Sequence, residues 1–332
     1  MLYRSTRGAE THVPASLAIL KGLASDGGLF VPEEMPKLDI RLDELKDLSY
    51  QELACIILKA FLTDFSDEEI KHCVYSAYDS KFDDELIAPL KKTKDAWFIE
   101  LYHGKTIAFK DMALSILPYL MTISAKKNGL DKEIVILTAT SGDTGKAALE
   151  GFKDVPGTQI QVFYPDHGVS SMQKRQMATQ EGSNVNVCAV KGNFDDCQNG
   201  VKAIFTDAKL KEELDKLNIT FSSANSINWG RLSPQIVYYI SAYASLVKNG
   251  DIEYGEKVNI VVPTGNFGNI LAAYYAKEMG LPVNKLICAS NSNNVLTDFI
   301  NTGIYDRNRH FYTTISPSMD ILISSNLERL LY

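Results

Sequence analysis

From Glu133 onward, short apolar runs alternate with amphipathic stretches of about ten residues. Ile134-Val135-Ile136-Leu137 reads as a buried strand, and Asp143 to Phe152 as a helix. The same rhythm predicts a strand over Gln159 to Tyr164 and a helix over Ser170 to Glu181. It then predicts a strand over Val185 to Val190, a helix over Asp195 to Leu210 and a strand at Ile219-Thr220-Phe221. Pro234 to Val247 predicts a helix with proline in its first turn. Val258 to Val262, Ile270 to Met279 and Leu286 to Ala289 give strand, helix and strand once more. Such alternation implies right-handed crossovers and a mainly parallel sheet. Upstream, residues 14 to 90 read mostly as helix and turn. Ser16 is the expected cap for Leu17 to Leu23, Leu48 to Phe61 is apolar at helical spacing, and Ser66-Asp67-Glu68-Glu69 starts another helix.

The predicted fold is α/β, with two parallel-sheet units and a cleft between them. A smaller unit at residues 135–228 is inserted into a larger one built from 91–134 and 229–332, and residues 1–90 form an N-terminal helical region. In such folds ligands bind at the carboxyl ends of the strands.

Composition narrows the function classes. The 332 residues are 45% apolar, with a formal net charge of −7. That balance argues against a broad nucleic-acid surface, which needs clustered basic charge. No apolar stretch approaches membrane-spanning length, and the first residues lack a signal-peptide core. The five cysteines are scattered with no C-x-x-C pair, and the histidines are dispersed, so no metal site is expected and a reducing, cytoplasmic setting is.

Three segments carry candidate chemistry. Lys110 lies within His103-Gly104-Lys105-Thr106-Ile107-Ala108-Phe109-Lys110-Asp111, a mostly apolar neighbourhood. Partial desolvation favours the neutral amine that a Schiff base requires. Thr140-Ser141-Gly142-Asp143-Thr144-Gly145 joins a strand to a helix and offers hydroxyls and backbone amides to a carboxylate, or simply caps the helix. Thr264-Gly265-Asn266-Phe267-Gly268-Asn269 joins a second strand to a helix, where free amides and the helix dipole favour a phosphate; alternatively it is a tight structural turn. Neither glycine segment matches a dinucleotide or Walker motif.

In this order, the three segments resemble the tryptophan-synthase-β-like superfamily of pyridoxal-phosphate enzymes, fold type II, and within it the threonine synthase family. Tyr3-Arg4-Ser5-Thr6-Arg7-Gly8, Gly22 to Pro32, Gly192 to Gln198 and Asn225 to Arg231 resemble further family segments, so the likeness spans essentially the whole chain. The resemblance implies pyridoxal 5'-phosphate bound to Lys110, with Gly265, Asn266, Phe267, Gly268 and Asn269 as its phosphate loop. It implies Thr140, Ser141, Gly142 and Thr144 as the substrate-carboxylate loop, with Asp143 bordering the cofactor. Many relatives outside this group carry Asn where Asp143 stands. The implied reaction turns O-phospho-L-homoserine and water into L-threonine and phosphate. The substrate phosphate needs cations: Arg231, with Asn228 nearby, is the first candidate, a helix-end surface ion pair being the equal alternative for it, and Lys174 and Arg175 read as a solvated helix face. His103 reads as a structural histidine. Family members continue past this chain's last residue to a hydroxyl group that contacts the cofactor ring. Two other readings stay open: a phospho-lyase that releases 2-oxobutanoate, and a silent ligand-binding homologue. Monomer and homodimer are equally open.

Overall fold

The computed structural model describes residues 1–38, 44–140, 142–167 and 169–332. At its start β1 (Leu2–Ser5) lies between β2 (Val13–Pro14) and β3 (Phe30–Pro32), antiparallel to both, with Tyr3 opposite Val13 and Pro32. The N-terminal region therefore contains a small sheet as well as the expected helices. Its strands are too short to show an alternating pattern. α1 (Ala15–Lys21) starts directly after Pro14, and Ser16 is buried within the first turn instead of capping it. α2 (Tyr50–Phe61) and α3 (Asp67–Ala77) each open with a capping box, Ser49 with Glu52 and Ser66 with Glu69. Each box satisfies amides that a helix start leaves unpaired. β4 (Leu90–Lys92) and β5 (Trp97–Ile99) pair antiparallel, and α4 (Asp111–Leu114) and α5 (Leu117–Lys127) follow.

β6 (Glu133–Ala139), β7 (Thr158–Pro165), β8 (Val185–Val190) and β9 (Ile219–Ser222) form a parallel sheet in the order β8-β7-β6-β9. Ile136 stands opposite Ile160 on one side and Ser222 on the other. The connections are α6 (Asp143–Phe152), α7 (Ser171–Ala178), α8 (Phe194–Thr206) and α9 (Ala208–Lys216). One helix was expected where α8 and α9 lie. Asp207 divides it: the residue is extended, and its carboxylate caps the amide of Leu210 at 3.0 Å. Ile134, Ile136, Ile160 and Val162 are fully buried, as a parallel sheet covered by helices requires.

α10 (Trp229–Leu232) and α11 (Pro234–Lys248) lead to β10 (Val258–Pro263), α12 (Gly268–Glu278), β11 (Val283–Ala289), α13 (Val295–Thr302) and α14 (Leu327–Leu331). β10 and β11 pair in parallel. α11 is apolar almost all round and packs against α2 and α12, which is how a helix reads when it is buried on all sides. Among the described residues, no helix is long and apolar enough to cross a membrane. Trp229 joins three parts of the chain: its ring lies 5.2 Å from Tyr3, 5.5 Å from Phe61 and 5.5 Å from Tyr275. The irregular stretch after α13 is gathered by Asp320, whose Oδ1 accepts from Asn291 (2.7 Å), Asn293 (3.0 Å) and the Thr314 hydroxyl (2.7 Å).

Candidate active site

The turn before α4 is closed from below by Asp111. Its carboxylate accepts from the Thr106 amide at 2.8 Å and the Thr106 hydroxyl at 2.5 Å. Ile107 sits in this turn at φ +57° and is 72% exposed. A β-branched residue in that region is strained by roughly 1–3 kcal/mol, so the surrounding structure dictates the turn. The turn delivers Lys110 to the start of α4 with only 15% of its side chain exposed, and Lys110 Nζ lies 3.4 Å from Asp143 Oδ2. Burial pushes the amine's pKa down, Asp143 opposes the shift, and Arg231 adds to it; the net direction is down.

The turn after β6 is organised by Thr140. Its hydroxyl oxygen accepts the amides of Gly142 and Gly145, each at 2.9 Å. Gly142 has φ +149°, and the Gln173 side chain fills the place where a Cβ would stand. That same Gln173 donates to Asp143 Oδ1, so the carboxylate is held between a neutral donor and the lysine. Among the described residues, no acceptor faces the amides of Asp143 and Thr144, the first two of α6. Ser141 lies outside the described residues.

The third segment leaves β10. The Gly265 carbonyl accepts from the Ser324 hydroxyl at 2.5 Å, and the Asn266 carbonyl accepts from the Asn326 amide at 3.2 Å. The backbone at Ser318 and Met319 passes so close to Gly265 that a side chain there would be crowded. Phe267 takes a left-handed conformation at φ +66°. The loop's carbonyls are thus tied to residues 324–326. Among the described residues, the amides of residues 265–270 have no acceptor. A run of free amides at the start of the eleven-residue α12 is a donor cradle for a phosphate. Asn269 is held in place by the hydroxyls of Tyr238 (2.7 Å) and Tyr239.

Arg231 is 3% exposed on α10. Its Nη1 donates to the Ala224 carbonyl at 2.7 Å and its Nε has no partner among the described residues. Burial pushes the guanidinium down to about 10. A buried cation with an idle donor and, among the described residues, no carboxylate paired with it fits an incoming anion. Asn228 is spent on structure: its Oδ1 accepts the Gly230 amide at 2.8 Å and its Nδ2 donates to the Ile19 carbonyl at 2.9 Å, which fixes the helix carrying Arg231. Gln235 links α10 to the start of α12. It donates to the Arg231 carbonyl at 2.8 Å and lies beside Gly268.

The remaining candidates stand apart. Lys174 pairs with Asp166 at 2.6 Å, and Arg175 is exposed. His103 is pinned between Asp83 (2.6 Å) and Glu100 (3.1 Å). Burial lowers its pKa, but those two hydrogen bonds outweigh that and the net shift is upward, as in a structural ion pair. Sequence reasoning missed Gln173, Gln235 and Lys146. Lys146 alone had a signal, its three-residue spacing from Asp143.

Comparison with known proteins places the chain in a family. Residues 2–78 match the family described as threonine synthase N terminus, and residues 87–331 match the pyridoxal-phosphate dependent enzyme family. The chain is 45% identical over 329 residues to threonine synthase-like 1 of Homo sapiens, covering 96% of this chain and 44% of that protein. It is 41% identical over 337 residues to threonine synthase of Pseudomonas aeruginosa, covering 100% of this chain and 68% of that protein. The structure is similar to pyridoxal-phosphate-bound threonine synthase from Brucella melitensis, with a TM-score of 0.90 and 41% identity over 99% of this chain and 68% of that one. The chain therefore spans less than half the length of the threonine synthase-like 1 relatives and about two thirds of the threonine synthases it matches.

Proposed function

Because the chain belongs to the threonine synthase family of pyridoxal-phosphate-dependent enzymes, we propose that it binds pyridoxal 5'-phosphate and converts O-phospho-L-homoserine and water to L-threonine and phosphate. The observation that carries this reading is the buried Lys110 amine, 3.4 Å from Asp143 and with its pKa lowered by burial and by the Arg231 charge, in a chain that also offers the free amides of residues 265–270. Those residues fit the cofactor: a poorly solvated amine for an aldehyde and an amide cradle for a phosphate. When bound, pyridoxal phosphate supplies an aldehyde for the substrate amine and a conjugated ring that stores electrons released at the substrate carbon.

The chain's own residues supply the rest. Lys110 is the amine to which the cofactor bonds. Once displaced, its Nζ takes the proton from the substrate α-carbon, a transfer that needs the neutral form its surroundings favour. Gly265, Asn266, Phe267, Gly268 and Asn269 hold the cofactor phosphate. Thr140, Ser141, Gly142 and Thr144 hold the substrate carboxylate, with Thr140 fixing the loop through two amides. Asp143 borders the cofactor and, through Gln173, stays oriented toward Lys110. Arg231 takes the substrate phosphate, on a helix that Asn228 caps. In this proposal residues 135–228 and the units flanking them form two walls of one cleft, and water reaches the β-carbon after phosphate has left.

The test is incubation of the full chain with pyridoxal phosphate and O-phospho-L-homoserine, following phosphate and threonine together by NMR. Equal amounts of the two support the proposal, and Lys110→Ala lowers both by at least about a thousandfold. Phosphate released with 2-oxobutanoate instead would replace synthesis with elimination. Undiminished turnover by Lys110→Ala would remove the assignment of the lysine.

A further inference from the structure

One buried cation beside the site has no part in the reaction just described. Lys146 lies one helical turn beyond Asp143 on α6, so the two side chains share a face. The residue is 8% exposed, and its ammonium donates to the Thr106 carbonyl. Thr106 belongs to the turn that delivers Lys110, and its amide and hydroxyl are both taken by Asp111. Lys110, Asp143, Lys146 and Asp111 thus form a chain of alternating charge that begins and ends at adjacent residues of one turn. The other two members come from a helix more than thirty residues away. Burial works against the charge on Lys146, and Asp111 and Asp143 work for it. A methionine would fill the same space with no ammonium to desolvate, and such replacements are often neutral or stabilising. Packing alone therefore does not account for a lysine here.

We propose that Lys146 is a positioning residue for Lys110: it ties α6 to the Lys110 turn through the Thr106 carbonyl and shares the Asp143 carboxylate with Lys110. The proposal rests on the reading of Lys110 as the reactive amine. Without the Lys146 charge, the Asp143 carboxylate acts on Lys110 alone, which raises the proton affinity of Lys110 and makes it a poorer nucleophile at neutral pH. The charged groups facing Lys110 are Asp143 from α6 and Arg231 from α10; those facing Lys146 are Asp111 and Asp143.

The experiment is competitive acetylation of the cofactor-free full chain across a pH series, read residue by residue by mass spectrometry. In Lys146→Gln, which keeps a donor for Thr106 but no charge, Lys110 labels about tenfold more slowly than in the parent at neutral pH. Its profile moves up by about one pH unit. Lys146→Arg, which restores the charge, returns the profile toward the parent's. Asp111→Asn removes a negative charge from the same group and moves it down. An unmoved Lys110 profile in both Lys146→Gln and Asp111→Asn, with circular dichroism matching the parent, overturns the proposal. Borohydride reduction of the parent with pyridoxal phosphate is the separate check on Lys110. Failure to mark Lys110 there removes the functional reading, while a shifted acetylation profile still upholds the coupling.

Discussion

Lys110 shows the conflict between reactivity and folding most plainly. A lysine pKa lowered by folding penalises the folded state fully below the folded value. The penalty fades as pH rises from there toward 10.5, and is gone above it. Lys110→Met in the cofactor-free chain is therefore expected to unfold a few degrees higher than the parent at neutral pH, with the gap closing as pH approaches 10.5. A thermal melt series shows whether the variant is instead less stable at every pH. Thr140 makes the opposite case. Its oxygen serves two buried amides, and Thr140→Val strands both, at a cost of about 2–4 kcal/mol in urea unfolding. A loss below about 1 kcal/mol would mean that water replaces the hydroxyl. Lys110, Asp143 and the 265–269 loop were legible as candidates through the order of the three segments and the family resemblance, since taken singly they read as a surface lysine, a helix cap and a tight turn. Gln173 and Gln235 were not. Their roles come from elements that meet only in space, and a lone glutamine on a helix carries no local sign.

Among the elements, α6 runs over Asp143–Phe152 as its apolar spacing predicts, and the start of α3 after Ser66 followed from the sequence alone. The β1–β3 sheet did not. Its strands hold two to four residues, and its pairing joins Ser5 to Phe30, a match that no window of local pattern contains. The same limit hid the way α14 is held. Arg329, on that five-residue helix, is 5% exposed and donates to the carbonyls of Phe30 (3.0 Å) and Ile227 (2.6 Å) and to Asn326 Oδ1 (2.5 Å). It also stands over the Trp229 ring at 5.8 Å. One side chain thus fastens three regions. Arg329→Ala leaves those acceptors buried without a donor and is expected to cost about 3 kcal/mol. Arg329→Lys recovers only part, because an ammonium lacks the planar fork that reaches three acceptors. Equal stability of the lysine variant and the parent in urea would show that charge, not geometry, matters at this position.

At the scale of the whole molecule, the cofactor reading makes a demand that no single residue or element makes. The Lys110 turn precedes α4, the Thr140–Gly145 turn leaves the four-stranded sheet, and the Thr264–Asn269 loop leaves the β10–β11 pair. A ligand that bonds Lys110 while its phosphate occupies the amides of residues 265–270 engages two separate parts of the fold at once. Binding to the folded chain alone stabilises it by mass action, about 2.7 kcal/mol at a hundredfold excess over the dissociation constant. Pyridoxal phosphate is therefore expected to raise the thermal midpoint by a few degrees. Pyridoxal, which has the aldehyde but no phosphate, reaches only Lys110 and should raise it far less. In Lys110→Met the order of the two ligands should persist while both effects shrink, because the amide cradle remains and the amine does not. Equal stabilisation of the parent chain by the two ligands would assign the free amides at α12 to ordinary helix-end solvation and would remove the 265–269 loop from the site. A phosphate-dependent gap that survives in Lys110→Met would separate anion binding at that loop from the chemistry at the amine.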